Sequence, residues 1–379
     1  MLKSLVFFVM IVVASFAIAQ PNLPTVTLSP VYSVQLPAEL LETSGITRFQ
    51  QGLVTHNDNS DEQLYIIDTL NGTVLQTFSL NGTSNFDWEE ITQDSLYLYV
   101  GDFGNNAGNR TDLHILRIEK SSLLEGTPAM DTIAFAYEDQ TDFTPSNQNT
   151  SFDCEAFIAG TDSLFLFTKN WNDLSTVCYS VPKVPGNYLA HRKHSSAVNG
   201  LITGATYLPN KRLVILSGYS SLLQPFMYLL FDFEGTDFFS SFQQKINPSL
   251  NFHQVEGVAT TNGIDVYLTN EYFSQSIITN QQKLHKFDLT PVLGDYLSGN
   301  NVLSESSDIR IFPNPAKDLV HIQAPKKSLC LEVRNSEGIL VKKARIRHNT
   351  DLDISDLPNG RYFISITDYP RVFSLIISK

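Results

Sequence analysis

Glu155-Ala156-Phe157, followed shortly by Leu164-Phe165-Leu166-Phe167-Thr168-Lys169-Asn170, is the clearest copy of a pattern that occurs five times in this chain. Each copy opens on a small or acidic residue, a small or variable one and a hydrophobic one, and leads into a strongly apolar run that ends in polar residues. The other copies are Ser44-Gly45-Ile46 with Leu53-Val54-Thr55-His56-Asn57-Asp58, and Glu89-Glu90-Ile91 with Leu96-Tyr97-Leu98-Tyr99-Val100-Gly101-Asp102. Thr203-Gly204-Ala205 with Leu213-Val214-Ile215-Leu216-Ser217, and Glu256-Gly257-Val258 with Val266-Tyr267-Leu268-Thr269-Asn270-Glu271, complete the set. Their starts lie 45, 66, 48 and 53 residues apart. Two more strand-like runs follow each of the first four copies, as in Leu64–Ile67 and Val74–Phe78 after the first, and His114–Ile118 and Thr132–Ala136 after the second. The fifth copy is followed by one run only, Leu284–Phe287, and the alternating segment Val26–Leu36 near the start of the chain is available to supply its fourth strand.

Repeats of this period, each worth four short strands, predict an all-β, five-bladed β-propeller whose ends are tied together by the N-terminal segment. Six blades, with an extra one in the long second interval, is the alternative. In such a fold the first strand of every blade lines the axis, so Ser44, Glu89, Glu155, Thr203 and Glu256 form a ring at one mouth. Carboxylates facing one another across a narrow channel repel and require protons, water or a cation. An all-oxygen set with irregular spacing suits Ca²⁺ better than Zn²⁺. The loops at the same mouth carry His56, Asn57 and Asp58, then Asp102 and Arg110, then Lys169, Asn170 and Trp171, then Asn270, Glu271 and Tyr272. These are the candidate ligand-binding residues, with Asp58, Asp102 and Glu271 as candidate catalytic carboxylates. Two plainer readings stand beside these: the ring residues only start strands and hold channel water, and the Asn and Asp residues only make turns.

The order Ser, Glu, Glu, Thr, Glu around five blades resembles the axial calcium site of calcium-activated nucleotidases (apyrases), and the Ser-Gly-Ile and Glu-Gly-Val openings are similar to those of esterase-like phytases. The resemblance implies a Ca²⁺ site and phosphoester hydrolysis, but that family's basic nucleotide-contacting residues have no counterpart here. Gly-x-Ser-x-Gly, His-Glu-x-x-His, Gly-rich phosphate loops and Cys/His metal spacings are absent as well. The function expected is therefore an exported module that binds a small molecule, glycan or peptide; the alternative is a secreted, metal-assisted hydrolase.

Both ends of the chain point to export. Met1–Ala19 has the form of a signal peptide, with Lys3, the apolar run Leu5–Val13 and the small-residue pattern Ala17-Ile18-Ala19. The C-terminal region carries Ile311-Phe312-Pro313-Asn314-Pro315, Asp318–Ile322, Leu331–Asn335 before a Glu337-Gly338 turn, and Leu357-Pro358-Asn359-Gly360-Arg361-Tyr362-Phe363. These four motifs resemble the C-terminal sorting domain of the type IX secretion system of Bacteroidetes. The resemblance implies the translocon and its sorting peptidase as partners, and a secreted or surface location reached through the periplasm. The expected organisation is 1–19 signal peptide, 20–298 propeller, 299–307 linker and 308–379 sorting domain, the last a small immunoglobulin-like sandwich in which Asn359-Gly360 makes a tight hairpin. Residues 20–307 hold thirteen Lys and Arg against thirty-one Asp and Glu, and residues 308–379 twelve against eight. Such an acidic body disfavours nucleic acid, and no later apolar run is long enough to span a membrane. Three cysteines cannot form a disulfide framework, so free thiols are expected.

Overall fold

The structure is a computed structural model that describes residues 22–59, 61–275, 277–298, 310–323, 329–346, 350–366 and 372–379. The signal peptide and the 299–307 linker lie outside the described residues.

The chain is all-β. Two strands, β1 (Asn22–Leu28) and β2 (Tyr32–Gln35), precede the first repeat. The repeats then form β3 (Thr43–Phe49), β4 (Gly52–Asn57), β5 (Gln63–Ile67) and β6 (Val74–Ser79), followed by β7 (Trp88–Gln93), β8 (Tyr97–Asp102), β9 (His114–Glu119) and β10 (Met130–Tyr137). A one-turn helix, α1 (Lys120–Leu124), joins β9 to β10. Next come β11 (Asp153–Ala159), β12 (Ser163–Lys169), β13 (Thr176–Pro182) and β14 (Gly186–Ser196), then β15 (Leu201–Leu208), β16 (Leu213–Tyr219), β17 (Pro225–Phe231) and β18 (Phe242–Pro248). The last repeat gives β19 (Val255–Thr260), β20 (Asp265–Asn270), the small hairpin β21 (Phe273–Gln275) and β22 (Ile278–Asn280), β23 (Lys283–Asp288) and helix α2 (Thr290–Leu297).

Within each repeat, successive strands pair antiparallel in the order of the chain. In the last repeat β20 pairs with β23, and β23 with β2, so a strand from before the first repeat completes the last sheet. The expected strand Val26–Leu36 is in fact divided. Ser29-Pro30 interrupts it, since Pro has no N–H for the ladder, and the upstream half, β1, runs parallel to β18 instead. A parallel pairing of β10 with β14 likewise joins two repeats into one eight-stranded sheet. The long second interval contains no extra strand: residues 138–152 form a loop, bonded through Ser146 N to Ala107 O and Gln148 N to Asn106 O.

The first strands of the repeats touch in a closed cycle, β3 to β7 to β11 to β15 to β19 and back to β3. Five hydrophobic clusters lie between consecutive sheets of the cycle. Strand alternation explains how one sheet serves two of them. In β12, Leu164 and Leu166 pack with Tyr99, Ile115 and Phe135 of the preceding sheet, while Phe165 and Phe167 pack with Val214, Leu216 and Tyr228 of the following one. The unbroken run Leu-Phe-Leu-Phe is what a strand buried on both faces requires.

The C-terminal region has its own core. Strands β24 (Arg310–Phe312), β25 (Leu319–Gln323) and β28 (Thr350–Asp353) form one sheet. Strands β26 (Leu329–Arg334), β27 (Leu340–Ile346), β29 (Gly360–Ile366) and β30 (Val372–Ile377) form a second. Val320, Ile322, Leu331, Val333, Ile364 and Leu375 are buried between them. Asn359-Gly360 is not the expected hairpin turn; Gly360 is the first residue of β29 and pairs with Ile377. The left-handed turn is at Gly338 (φ +80°), between β26 and β27. Cys154 and Cys178 are buried free thiols, and Cys330 is free. No helix among the described residues is long and apolar enough to cross a membrane.

Candidate functional site

Every first strand carries a β-bulge at the same place. The register slips between Thr43 and Ile46, Trp88 and Glu90, Cys154 and Ala156, Ile202 and Gly204, and Val255 and Gly257. The residues left unpaired include Ser44, Glu89, Glu155, Thr203 and Glu256, the five expected to ring the axis. A bulge re-aims a side chain that regular pairing would commit to one face. All five are buried. Ser44 Oγ donates to Glu89 O and Thr203 Oγ1 to Val255 O, so the two hydroxyls tie neighbouring first strands together. A Cβ at Gly104 would lie 2.2 Å from Glu89 Oε1 and 2.3 Å from Asp87 Oδ2, which places these two acids side by side.

A cation is already present at the ring. Lys169, at the end of β12, is buried and holds its Nζ 2.8 Å from Glu155 Oε1. The ammonium lies 4.9 Å from the Trp171 ring centre and 5.4 Å from that of Tyr219. Burial opposes its charge, but Glu155, Glu256 and Asp153 outweigh that and hold Lys169 well above the usual lysine value. Glu256 Oε2 accepts no hydrogen bond.

Next to the ring is a residue that the sequence reading passed over. Glu90 occupies the second position of its triplet, where the other repeats have Gly45, Ala156, Gly204 and Gly257. Its side chain is wholly buried, and Oε1 accepts from Ile91 N at 2.9 Å and Oε2 from Ala205 N at 2.6 Å, with Ile46 N a third donor. These donors belong to β7, β15 and β3, so one carboxyl group links three first strands across the axis. Burial without a counter-charge pushes its pKa well above the carboxylate range, and the backbone donors pull it back only partly. The signal was available: one long side chain among four small ones at an equivalent position.

The remaining candidates divide into two groups. Asp102 is fully buried, pairs with Arg110 Nη2 at 2.8 Å and accepts from Phe86 N; Arg110 also reaches Asp112 Oδ1 at 3.0 Å. His56 is fully buried edge-on to Trp88, and burial lowers its pKa to about 4. Asn57 donates to Glu39 O and Asp61, Asn170 bonds Ser151, Ser175 and the Asn172 amide, and Asn270 bonds Gln281 O and His285. This group closes loops and fills inter-sheet space. Asp58 and Glu271, by contrast, come together with Glu42, one carboxylate oxygen of each lying within 4.8 Å of the others. Tyr272 is half-buried and its backbone N donates to Leu41 O, whereas the half-buried Trp171 donates its Nε1 to Asp153 Oδ2.

Burial and neighbouring charge raise the acids of this mouth. Burial and then Glu42 lift Asp58 to about 7, burial and then Asp153 lift Asp87 to about 6, and burial followed by Asp58 and Glu42 lifts Glu271 to about 8. Burial, and then Glu155 and Asp87, push Glu89 well up. One ammonium cannot balance so many carboxyl groups, so at neutral pH they keep protons or attract further cations.

Residues 310–377 match the family described as the secretion system C-terminal sorting domain. No curated protein matches the chain. Among solved structures it is similar to Myxococcus xanthus glutaminyl cyclase, with TM-score 0.42 and 9% identity over 69% of this chain and 97% of that one. It is also similar to PorZ, a surface component of the type IX secretion system of Porphyromonas gingivalis, with TM-score 0.32 and 12% identity over 89% of this chain and 45% of that one. A mitotic checkpoint complex chain gives TM-score 0.35 and 8% identity over 72% of this chain and 98% of that one. The C-terminal region is thus a sorting domain, and the protein is exported to the cell surface or the medium through the type IX secretion system of Bacteroidetes.

Proposed function

We propose that residues 20–298 form a five-bladed β-propeller, joined through 299–307 to an immunoglobulin-like sorting domain at 308–379, and that the exported propeller binds a cationic group at its acidic mouth. The closed cycle of five first strands and the five inter-sheet cores support the blade count. The observation that carries the binding role is the imbalance at the mouth, where Glu89, Glu155, Glu256, Asp87, Asp58 and Glu271 surround the single ammonium of Lys169. Lys169 Nζ, 2.8 Å from Glu155 Oε1, supplies a positive charge at the ring. The loops of this mouth hold one base, Arg110, which is engaged by Asp102 and Asp112, so a phosphoester has little to grip. A second reading rests on Glu42, Asp58 and Glu271: a divalent ion held by these three would support metal-assisted hydrolysis.

The test follows from linkage. Carboxyl groups raised in the folded state contribute stability that is complete below their unfolded values near pH 4 and is lost as pH rises through the folded values. For Asp87, Asp58 and Glu271 that window runs from about 6 to about 8. The melting temperature should therefore fall from pH 5 to pH 9, and arginine amide should restore it far more at pH 8.5 than at pH 5. Glu271→Gln should reduce both the fall and the rescue. Equal melting curves with and without arginine amide at pH 8.5 would refute the binding role. Rescue by Ca²⁺ after chelation, together with turnover of phosphoester substrates, would favour the second reading.

A further inference from the structure

The mouth is bordered by ten loops: 36–42, 58–62, 80–87, 103–113, 138–152, 170–175, 197–200, 220–224, 249–254 and 271–282. Antiparallel connection puts all ten at one end of the sheets, because each either enters a first strand or leaves a second. Together they carry twelve Asp and Glu and one base. The connections at the opposite end, 50–51, 68–73, 94–96, 120–129, 160–162, 183–185, 209–212, 232–241 and 261–264, carry seven acids and four bases. The negative charge is therefore concentrated on one face.

That face also exposes apolar side chains around its acids. Ile277 is 99% exposed, Leu222 73% and Phe86 64%, with Leu41, Phe143 and Phe252 exposed as well. Single exposed apolar residues are ordinary. Here six of them lie on six of the ten loops, around a floor in which Glu256 Oε2, on a residue only 7% exposed, has no hydrogen-bond partner. The loops are bonded to one another, through Trp88 N to Asp58 O at 2.7 Å, Tyr272 N to Leu41 O at 2.8 Å and Glu271 N to Gln254 O at 3.2 Å. The rim is therefore held in place before a partner arrives, which lowers the ordering cost of binding.

We propose that this face docks a basic peptide segment flanked by apolar side chains, its ammonium or guanidinium groups meeting the acidic floor and its apolar groups lying on the rim. The proposal rests on the cation-binding reading of the mouth and extends it to a partner. A small cation would leave the rim in water, whereas a neutral apolar ligand would leave Glu256 Oε2 without a donor. Two cavities border this face, one lined by Ser220, Gln224, Phe226 and Lys245 and one by Asp139, Ser151, Asp173 and Arg192, which gives the rim recesses for the side chains of a peptide.

The test is fluorescence anisotropy on the full chain with three labelled peptides of equal length: alternating Lys and Phe, alternating Lys and Ser, and alternating Glu and Phe. The Lys–Phe peptide should bind at least about tenfold more tightly than the Lys–Ser peptide, since apolar anchors dominate contact energy, and the Glu–Phe peptide should not bind. Replacing Phe86 and Ile277 by Ser should erase the tenfold advantage without weakening the Lys–Ser peptide. Replacing Asp87 by Asn and Glu271 by Gln should weaken both Lys peptides. Equal binding of the two Lys peptides, or indifference to the rim substitutions, overturns the peptide proposal and leaves the cation-binding mouth standing. Failure of both Lys peptides to bind overturns the two together, and binding of the Glu–Phe peptide would show that charge plays no part.

Discussion

Glu90 and Lys169 are the residues on which the axis depends, and they do so in different ways. Glu90 satisfies backbone N–H groups of β3, β7 and β15 with no cation in the arrangement. Both oxygens of its carboxyl group accept from these donors, Oε1 from Ile91 N and Oε2 from Ala205 N, and a glutamine amide offers only one acceptor oxygen. Glu90→Gln, whose Nε2 must face a backbone N–H, should therefore cost about 1–3 kcal/mol, and Glu90→Ala, which strands all the buried donors at about 1–3 kcal/mol each, at least about 3 kcal/mol in urea unfolding. No loss in either variant would mean that the carboxyl group does not hold the three strands together. Lys169 was legible in the sequence as a polar strand end, but only its position 2.8 Å from Glu155 makes it the cation of the ring. His56 and Asp102 looked equally functional in sequence. They are buried because the end of a second strand is packed between neighbouring sheets, which sequence distance cannot reveal.

At the scale of the element, the bulge in each first strand is the device that produces the ring. It places one residue per repeat out of register and brings adjacent first strands into backbone contact. Gly45 shows how tight that contact is: an added Cβ would lie 2.5 Å from the Glu90 Cα and 2.5 Å from the Ile91 N. Gly45→Ala should thus force β3 and β7 apart and cost about 2 kcal/mol or more. Because backbone atoms lie as close as the Glu90 side chain does, Gly45→Ala should cost a similar amount when added to Glu90→Ala, relative to Glu90→Ala alone, and disappearance of the loss in that background would place the clash in the Glu90 side chain instead. The second strands were read correctly from their apolar runs to within a residue or two. The bulges were not, because nothing in a triplet such as Glu-Ala-Phe distinguishes an extra unpaired residue from a regular strand start.

For the whole molecule, the cores of the acidic body and of the basic sorting domain are made of separate residues. Limited proteolysis should therefore cut near residues 299–307 and release two folded pieces, and a chain ending at residue 298 should unfold cooperatively at the temperature of the body in the full chain but remain in the periplasm. Release of the shortened chain at the normal level would remove the sorting role from the C-terminal region. Loss of cooperative unfolding would show instead that the body depends on it.

Export, the all-β class and the period of the repeats were determined by local patterns, since apolar alternation, turn residues and motif order act over a few residues at a time. Sheet closure was only half legible: an N-terminal strand was expected, but the division at Pro30 between β1 and β2, and the pairing of β1 with β18, depend on partners more than two hundred residues away. The chemistry of the mouth was decided by tertiary structure alone. Burial depth and the approach of groups from different sheets set which carboxyls are raised, which asparagines are spent on loops and where the lysine ammonium rests. These are properties of a three-dimensional neighbourhood, which a linear sequence of residue types does not contain.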